Sequence, residues 1–162
     1  MRPTVRSGVK FGAVSILALA CTASLAQNAP ATPEQKAQAA VDLRQSVFKL
    51  IGYSFEPVGA MLKRQRPFDA DLAQKSAARI EMLAPMIGEA FATDTRQFKV
   101  ETKAREGIWT NKSDFDAKNN DLIKAAANLT TAAKSGDQKA FTQAAAAVGK
   151  ACGACHDSFR DK

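Results

Sequence analysis

Histidine and cysteine are scarce in this chain of 162 residues, which contains one histidine and three cysteines. A structural zinc site usually takes four Cys or His ligands. Cys21 lies in a separate N-terminal segment, so only Cys152, Cys155 and His156 remain for such a site. A zinc shell built from these residues would be one ligand short, which disfavours a structural zinc protein.

The chain also has little of the β-branched alternation that strands need, and it contains only nine glycines. After residue 31 it is instead rich in Ala, Lys, Gln, Leu and Glu, which are good helix formers. We therefore predict an all-α protein.

Long apolar runs are missing except near the N-terminus. There, "FGAVSILALA" follows three basic residues and precedes small residues around Ala26, which is the layout of a secretory signal peptide. We predict that residues 1–26 are removed after Ala26 and that residues 27–162 form one domain. We expect this domain to be exported to the periplasm without stable membrane insertion. Lipidation of Cys21 is the alternative interpretation of the segment.

The formal net charge of +7 comes partly from this N-terminal segment. Without residues 1–26, 20 basic residues face 16 acidic ones, a net charge of +4. Basic and aromatic residues do not cluster as they do on nucleic-acid-binding surfaces, so we expect no nucleic-acid partner. We interpret the remaining charge as a source of solubility and weak steering.

Four segments carry apolar residues at helical spacing, and each begins at a residue that can cap a helix. Two short turns and one longer link would join them, which predicts an antiparallel four-helix bundle. We also predict a kink in the second helix at Pro85. The predicted helices begin at Thr32, Asp69, Asn111 or Ser113, and Asp137, and the first three end near residues 62, 92 and 135.

Cys152, Cys155 and His156 form a Cys-x-x-Cys-His motif, the attachment signature of c-type haem. Cysteines three apart in a helix lie about one turn apart on one face, which suits two thioether bonds to one porphyrin. We therefore predict one covalent haem c near the C-terminus, with His156 binding its iron. A thiol–disulfide protein is a remote alternative, because redox-active Cys-x-x-Cys pairs lie at a helix start beside strands.

Four stretches of the chain resemble the class II c-type cytochromes, and most closely cytochrome c′. They are "LRQS" in the first helix, "RPFD" at the first turn, "ETKAREGIW" before the third helix and "CGACHDSFR" at the end. The resemblance covers nearly the whole mature chain. It implies a periplasmic four-helix bundle, often a homodimer, with haem held by Cys152 and Cys155 and iron bound by His156.

The resemblance also places Phe48 over the haem face opposite His156, because "LRQS" aligns it with the family position that covers this face. Phenylalanine cannot bind iron. We therefore expect a five-coordinate, high-spin haem that binds NO or CO, exchanges single electrons with redox partner proteins, or does both. A place in the ordinary hydrophobic core would also explain the phenylalanine at position 48, and this interpretation is compatible with the first. The alternative function is a low-spin electron carrier with Met61, Met82 or Met86 on the iron, although such methionines usually fill cores.

Four further residues match family positions that contact haem edges and propionates. An arginine fork such as that of Arg44 suits a propionate well. A charged surface face is the competing interpretation for this set, which consists of Arg44, Gln45, Glu101 and Thr102.

Arg160 lies one helical turn after His156. The resemblance implies that its charge lies beside the histidine and could stabilise an anion there, whereas a solvated cation at a helix C-terminus is the alternative. Phe159 is expected to pack on the porphyrin or the adjoining core. No further acid, base or nucleophile accompanies the haem motif, so we do not expect an enzyme.

Overall fold

The computed structural model describes residues 30–162 of the chain. The predicted signal peptide, its cleavage site and Cys21 lie outside the described residues. The described helices belong to a compact unit that begins at Thr32. They are α1 (Pro33–Leu62), α2 (Ala70–Leu83), α3 (Met86–Ala90), α4 (Gly107–Thr110), α5 (Lys112–Ser135) and α6 (Gln138–Phe159).

The long helices begin where capping residues predict. Thr32 and Gln35 form a capping box, in which each side chain accepts a hydrogen bond from the other residue's backbone amide. The carboxylates of Asp69 and Asp137 accept hydrogen bonds from the first-turn amides of α2 and α6. α5 follows Asn111, although the Asn111 side chain makes no capping hydrogen bond.

Pro85 divides the predicted second helix into two. α2 ends at Leu83, and the short α3 starts directly after the proline. Proline lacks a backbone N–H and its ring crowds the preceding turn, so a continuous helix is disfavoured at this point. The predicted irregularity at Pro85 is thus present as an interruption between two helices, although Ala84 and Pro85 keep right-handed helical dihedrals.

The four long helices form a closed bundle. α1 packs on α2 and α6, and α5 packs on the same two helices. Gly136 ends α5 in the left-handed conformation, with φ 71°, so the chain can reverse directly into α6. This arrangement confirms the predicted antiparallel four-helix bundle.

Residues 91–106, which we call the connection, join α3 to α4. The bundle core beside the connection is aromatic. The Phe91 ring lies 5.1 Å from the Phe115 ring, and Phe115 lies 5.4 Å from Phe159, between centroids. Elsewhere alanines such as Ala77 and Ala126 are fully buried between α2 and α5 and allow close helix approach.

Among the described helices, none has both the length and the apolar character to cross a membrane.

Candidate functional site

Cys152, Cys155 and His156 lie in the last two turns of α6. Both thiols are free, half-buried and packed against the edge of the hydrophobic core, whereas His156 is exposed. Because the helix is continuous here, the two thiols lie on one face about one turn apart. The structure thus brings both candidate attachment residues and the candidate iron ligand to one end of one helix.

The surroundings of Cys152 and Cys155 disfavour their ionised forms. Burial raises the pKa of both thiols, and the neighbouring Cys152 raises that of Cys155 further. The carbonyl-rich C-terminal end of a helix also opposes a thiolate. Redox-active cysteines need the opposite environment, with a lowered pKa at a helix N-terminus. This chemistry disfavours the thiol–disulfide alternative.

The donor set at this end of α6 fits a haem. Two thiols and one imidazole provide few ligands for a bare metal ion, but a porphyrin brings four nitrogen donors of its own and needs only an axial ligand and its attachment points. An apolar side chain of α1 lies close to this part of α6, since the Phe55 ring approaches to 3.7 Å from where a Cβ at Gly149 would lie. Cys152, Cys155 and His156 would therefore hold the haem.

Phe48 lies on α1 and is 37% exposed, which is unlike an ordinary core residue. Its ring centroid is 6.1 Å from that of Phe91, which is buried. Phe91 in turn contacts Phe115, and Phe115 contacts Phe159. A continuous line of rings therefore runs from Phe48 to Phe159, three residues beyond His156.

Arg44 lies one turn before Phe48 on α1 and is only 3% exposed. Its Nε donates to the Ala90 carbonyl at 2.9 Å, its Nη2 to the Thr93 carbonyl at 2.5 Å and its Nη1 to the Thr95 hydroxyl at 2.9 Å. The interpretation of Arg44 as part of a charged surface face is therefore wrong. Its guanidinium points into the start of the connection.

The Arg44 guanidinium also lies against two aromatic rings. Its central carbon is 4.8 Å from the centroid of Phe91 and 5.2 Å from that of Trp109. Burial lowers the pKa of Arg44, and the nearby charge of Asp94 partly opposes this. An arginine starts so far above neutral pH that it stays charged here.

The other three predicted haem-edge residues are exposed: Gln45 on α1, and Glu101 and Thr102 in the connection. The Thr102 hydroxyl accepts a hydrogen bond from the Ala104 amide at 3.1 Å, which shapes the local turn. Their contacts with haem remain predictions.

The end of the connection pairs with the end of the chain. An isolated antiparallel bridge joins Ala104 to Arg160, directly after α6. This pairing fixes the backbone four residues after His156 and with it the position of Arg160. Its hydrogen bonds run from the Arg105 amide to the Phe159 carbonyl at 3.0 Å and from the Asp161 amide to the Lys103 carbonyl at 2.9 Å.

Arg105 is a site residue that sequence reasoning missed. Its Nε donates to the Asp161 carboxylate at 2.8 Å, and its Nη1 donates to the Asp157 carbonyl at 2.9 Å. It lines a solvent-open cavity of about 330 Å³ together with His156 and Arg160, which are both exposed. Although His156 is exposed, the partial burial of its ring, and then the charge of Arg160, lower its pKa. Arg105 lies within "ETKAREGIW", a stretch that resembles the family, but neither the resemblance nor the local pattern pointed to this role for it.

The three candidate methionine ligands lie apart from the C-terminal end of α6. Met82 and Met86 are exposed, on α2 and α3, and neither of these helices packs on α6 in the described part of the chain. Met61 is buried in the core near the end of α1, which in an antiparallel pair lies by the start of α6. The arrangement does not favour a methionine ligand opposite His156.

Comparisons with known proteins agree with this fold and site. The cytochrome c′ family matches residues 39–160. Cytochrome c′ from Rubrivivax gelatinosus is 36% identical over 131 residues, which cover 79% of this chain and 98% of the relative. Cytochrome c-554 from Cereibacter sphaeroides is 32% identical over 150 residues, covering 91% of this chain and 97% of the relative.

Solved structures show the same bundle. Cytochrome c prime from Shewanella frigidimarina superposes with a TM-score of 0.73 at 39% identity, covering 78% of this chain and 97% of that one. A nitric oxide complex of a mutant cytochrome c prime from Alcaligenes xylosoxidans gives a TM-score of 0.71 at 29% identity, covering 78% and 96%.

Fold, motif and relatives together define a four-helix-bundle haem protein with its covalent attachment site near the C-terminus. The chain belongs to the cytochrome c′ family, and haem c is the cofactor of that family.

Proposed function

We propose that this cytochrome is a periplasmic, non-enzymatic protein that binds NO or CO at a five-coordinate, high-spin haem and exchanges single electrons with redox partner proteins. The observation that carries the proposal is the exposed ring of Phe48 on α1, a side chain that cannot bind iron. The resemblance at "LRQS" aligns Phe48 with the family position that covers the open haem face. The separation of Met82 and Met86 from α6 supports the same conclusion. When bound, the haem supplies the iron for gas binding and the redox couple.

The roles of the chain's own residues follow from this proposal. Cys152 and Cys155 would anchor the haem, and His156 would bind its iron from one side. Arg160, in the same cavity as His156, would place a positive charge beside the ligand. Gln45, with Glu101 and Thr102 of the connection, is exposed and free to meet polar haem edges.

The N-terminal segment supports export to the periplasm. We propose that residues 1–26 are the signal peptide and that residues 27–162 are the mature domain. Covalent haem c attachment fits an exported protein, and the net charge of +4 left after cleavage suits weak steering of redox partners.

A homodimer would cover an apolar patch on α1. Leu43, Leu50 and Tyr53 are 47%, 52% and 70% exposed, which is high for such side chains. Met82 and Met86, on the helices packed beside α1, are also exposed. Sedimentation equilibrium of the haem-loaded protein tests this proposal, and a mass of one chain at all concentrations would refute it.

The absorption spectrum of the purified protein, oxidised and reduced, tests the main proposal. A high-spin spectrum in both states is expected, because Met82 and Met86 lie on helices that do not pack on α6 in the described part of the chain. A low-spin spectrum with a methionine-to-iron charge-transfer band would favour the electron-carrier alternative, and the absence of a Soret band would refute a haem protein.

Phe48→Ala should accelerate CO binding to the reduced protein by about tenfold, which corresponds to the removal of about 1.4 kcal/mol of barrier. The reason is that the truncated side chain no longer covers the haem face. Flash photolysis measures the rate. Tyr53→Ala is the matched control, since Tyr53 is an aromatic residue of α1 that is 70% exposed. Equal rates for the two variants would remove Phe48 from this role.

Replacing Cys152 or Cys155 with Ser should remove one thioether bond each, and the double variant should lose its haem on acid extraction. Haem remaining on the polypeptide is measured by absorbance after denaturing chromatography. If the double variant retained its haem, Cys152 and Cys155 would not be the attachment points.

A further inference from the structure

We propose that Arg44 is a positioning residue for the distal wall, the pair of rings formed by Phe48 and Phe91. In this role Arg44 holds residues 90–95 against α1 and thereby keeps Phe91 packed behind Phe48. The inference rests on the proposed role of Phe48. It differs from the propionate contact that the resemblance implies, because the hydrogen bonds of Arg44 go to this segment instead.

The hydrogen bonds of Arg44 concentrate on a stretch of six residues. Its three nitrogens meet the carbonyls of Ala90 and Thr93 and the hydroxyl of Thr95, which is 2% exposed. The Ala90 carbonyl is at the C-terminal end of α3, where helix carbonyls have no helical partner. Hydrogen bonds from a charged donor are about twice as strong as neutral ones. The Arg44 side chain therefore supplies hydrogen-bond donors to the Ala90 and Thr93 carbonyls, where the connection begins.

The same guanidinium fixes the Phe91 ring. It lies 4.8 Å from the Phe91 centroid and 5.2 Å from that of Trp109, and the Trp109 indole donates to the Phe91 carbonyl at 3.1 Å. Phe91 is thus held through both its ring and its backbone. Its ring then lies 6.1 Å from Phe48, between centroids.

Arg44 and Phe48 share one helix, four residues apart. Arg44, which holds residues 90–95, and Phe48, whose ring these residues support, therefore lie one turn apart on the same helix. If the connection moved away from α1, Phe91 would withdraw and Phe48 could turn into the space behind it. Arg44 therefore determines how firmly Phe48 holds its place without contacting the haem face itself.

Hydrogen-exchange mass spectrometry of the haem-loaded protein tests the holding role. Arg44→Lys keeps the charge but loses the planar fork and most of the three hydrogen bonds. We expect amides of residues 91–100 to exchange about tenfold faster or more, with α2 unchanged. Arg79→Lys is the matched control, because Arg79 is exposed on α2 and makes no side-chain hydrogen bond or ion pair among residues 30–162. Unchanged exchange in residues 91–100 would overturn the proposal.

A double-mutant cycle tests whether Arg44 acts through Phe91. Arg44→Lys and Phe91→Leu should each accelerate CO binding, and the double variant should be no faster than Phe91→Leu alone. Rates that multiply would overturn the proposed route through Phe91. If Arg44→Lys failed to fold, Thr95→Val would replace it, since it removes one acceptor only, and unchanged exchange in that variant would also count against the proposal.

Different results would refute the role of Phe48 over the haem face and the role of Arg44 in holding residues 90–95. If Phe48→Ala left the CO rate unchanged, the cover over the haem face would be refuted, and with it the functional consequence of Arg44. The exchange measurement would still decide whether Arg44 holds residues 90–95, because it does not depend on gas binding.

Discussion

Arg44 and Arg105 attach opposite ends of the connection to the bundle, but they do so in different environments. Arg44 is 3% exposed and donates to two carbonyls and a hydroxyl. The Arg105 side chain is 38% exposed and donates to the Asp161 carboxylate and to the Asp157 carbonyl. The first end supports the distal wall, and the second lies beside His156.

The difference shows which end of the connection is held mainly by side chains and which by backbone pairing. At the His156 end, the backbone bridge between Ala104 and Arg160 holds the two segments together, and Arg105 adds a partly solvated contact. At the Phe48 end, the described structure has no such backbone pairing, so side chains supply the attachment: Arg44 makes three hydrogen bonds, and the Trp109 indole donates one to the Phe91 carbonyl. A buried charge that loses its partners is costly, whereas an exposed ion pair contributes little.

Arg44→Met should therefore produce the largest loss of stability. It leaves the Ala90 and Thr93 carbonyls and the Thr95 hydroxyl without their donor, and we expect a loss of about 3 kcal/mol. The cost is less than the sum of three charged hydrogen bonds because the variant no longer buries a charge. Urea unfolding of the haem-loaded protein, followed by far-UV circular dichroism, measures it. A loss no larger than that of Arg79→Met, the exposed control, would contradict this account.

Arg105→Met should have a smaller effect, about 1 kcal/mol, because solvent screens its ion pair and the backbone bridge remains. The same unfolding experiment measures it. Hydrogen exchange should increase in residues 103–106 and 157–161 but not in residues 91–95. If Arg105→Met cost as much as Arg44→Met, the bridge would not be the main attachment at this end.

The helices and the haem motif could be predicted because their signals are local. Thr32, Asp69 and Asp137 bind amides two or three residues away, and Gly136 adopts a conformation that glycine favours wherever a helix ends. The spacing of Cys152 and Cys155 likewise needs only one turn of helix. Each of these features is determined by a few neighbouring residues.

The connection could not be predicted in the same way, because its partners are distant in sequence. Arg44 meets residues 46 to 51 positions later, and Arg105 meets residues 52 to 56 positions later. No periodicity or turn signal links such positions. The family resemblance assigned Arg44 to the haem edge, whereas its partners in this structure are two backbone carbonyls and a threonine hydroxyl. Arg105 needs the folded bundle to be recognised at all.

Breaking the ion pair between Asp94 and Arg96 should perturb the Phe48 end of the connection least. The two residues form an exposed ion pair in the connection, and Asp94 lies between Thr93 and Thr95, which both bind Arg44. The hydrogen bond from Arg96 holds the pKa of Asp94 below its usual value. A carboxyl whose pKa falls on folding stabilises the fold above its unfolded pKa, and this contribution disappears as the pH falls through the folded value.

Asp94→Asn should therefore lower stability at neutral pH by less than Arg105→Met does. The difference from the unmodified protein should decrease once the pH falls below the unfolded pKa of about 3.8, and it should vanish only below the lower folded pKa. Urea midpoints at pH 7 and pH 3, in low and high salt, measure this, and 1 M salt should also reduce the neutral-pH difference. A loss as large as that of Arg44→Met would mean that this exposed carboxylate, and not the buried hydrogen bonds of Arg44, holds the start of the connection against α1.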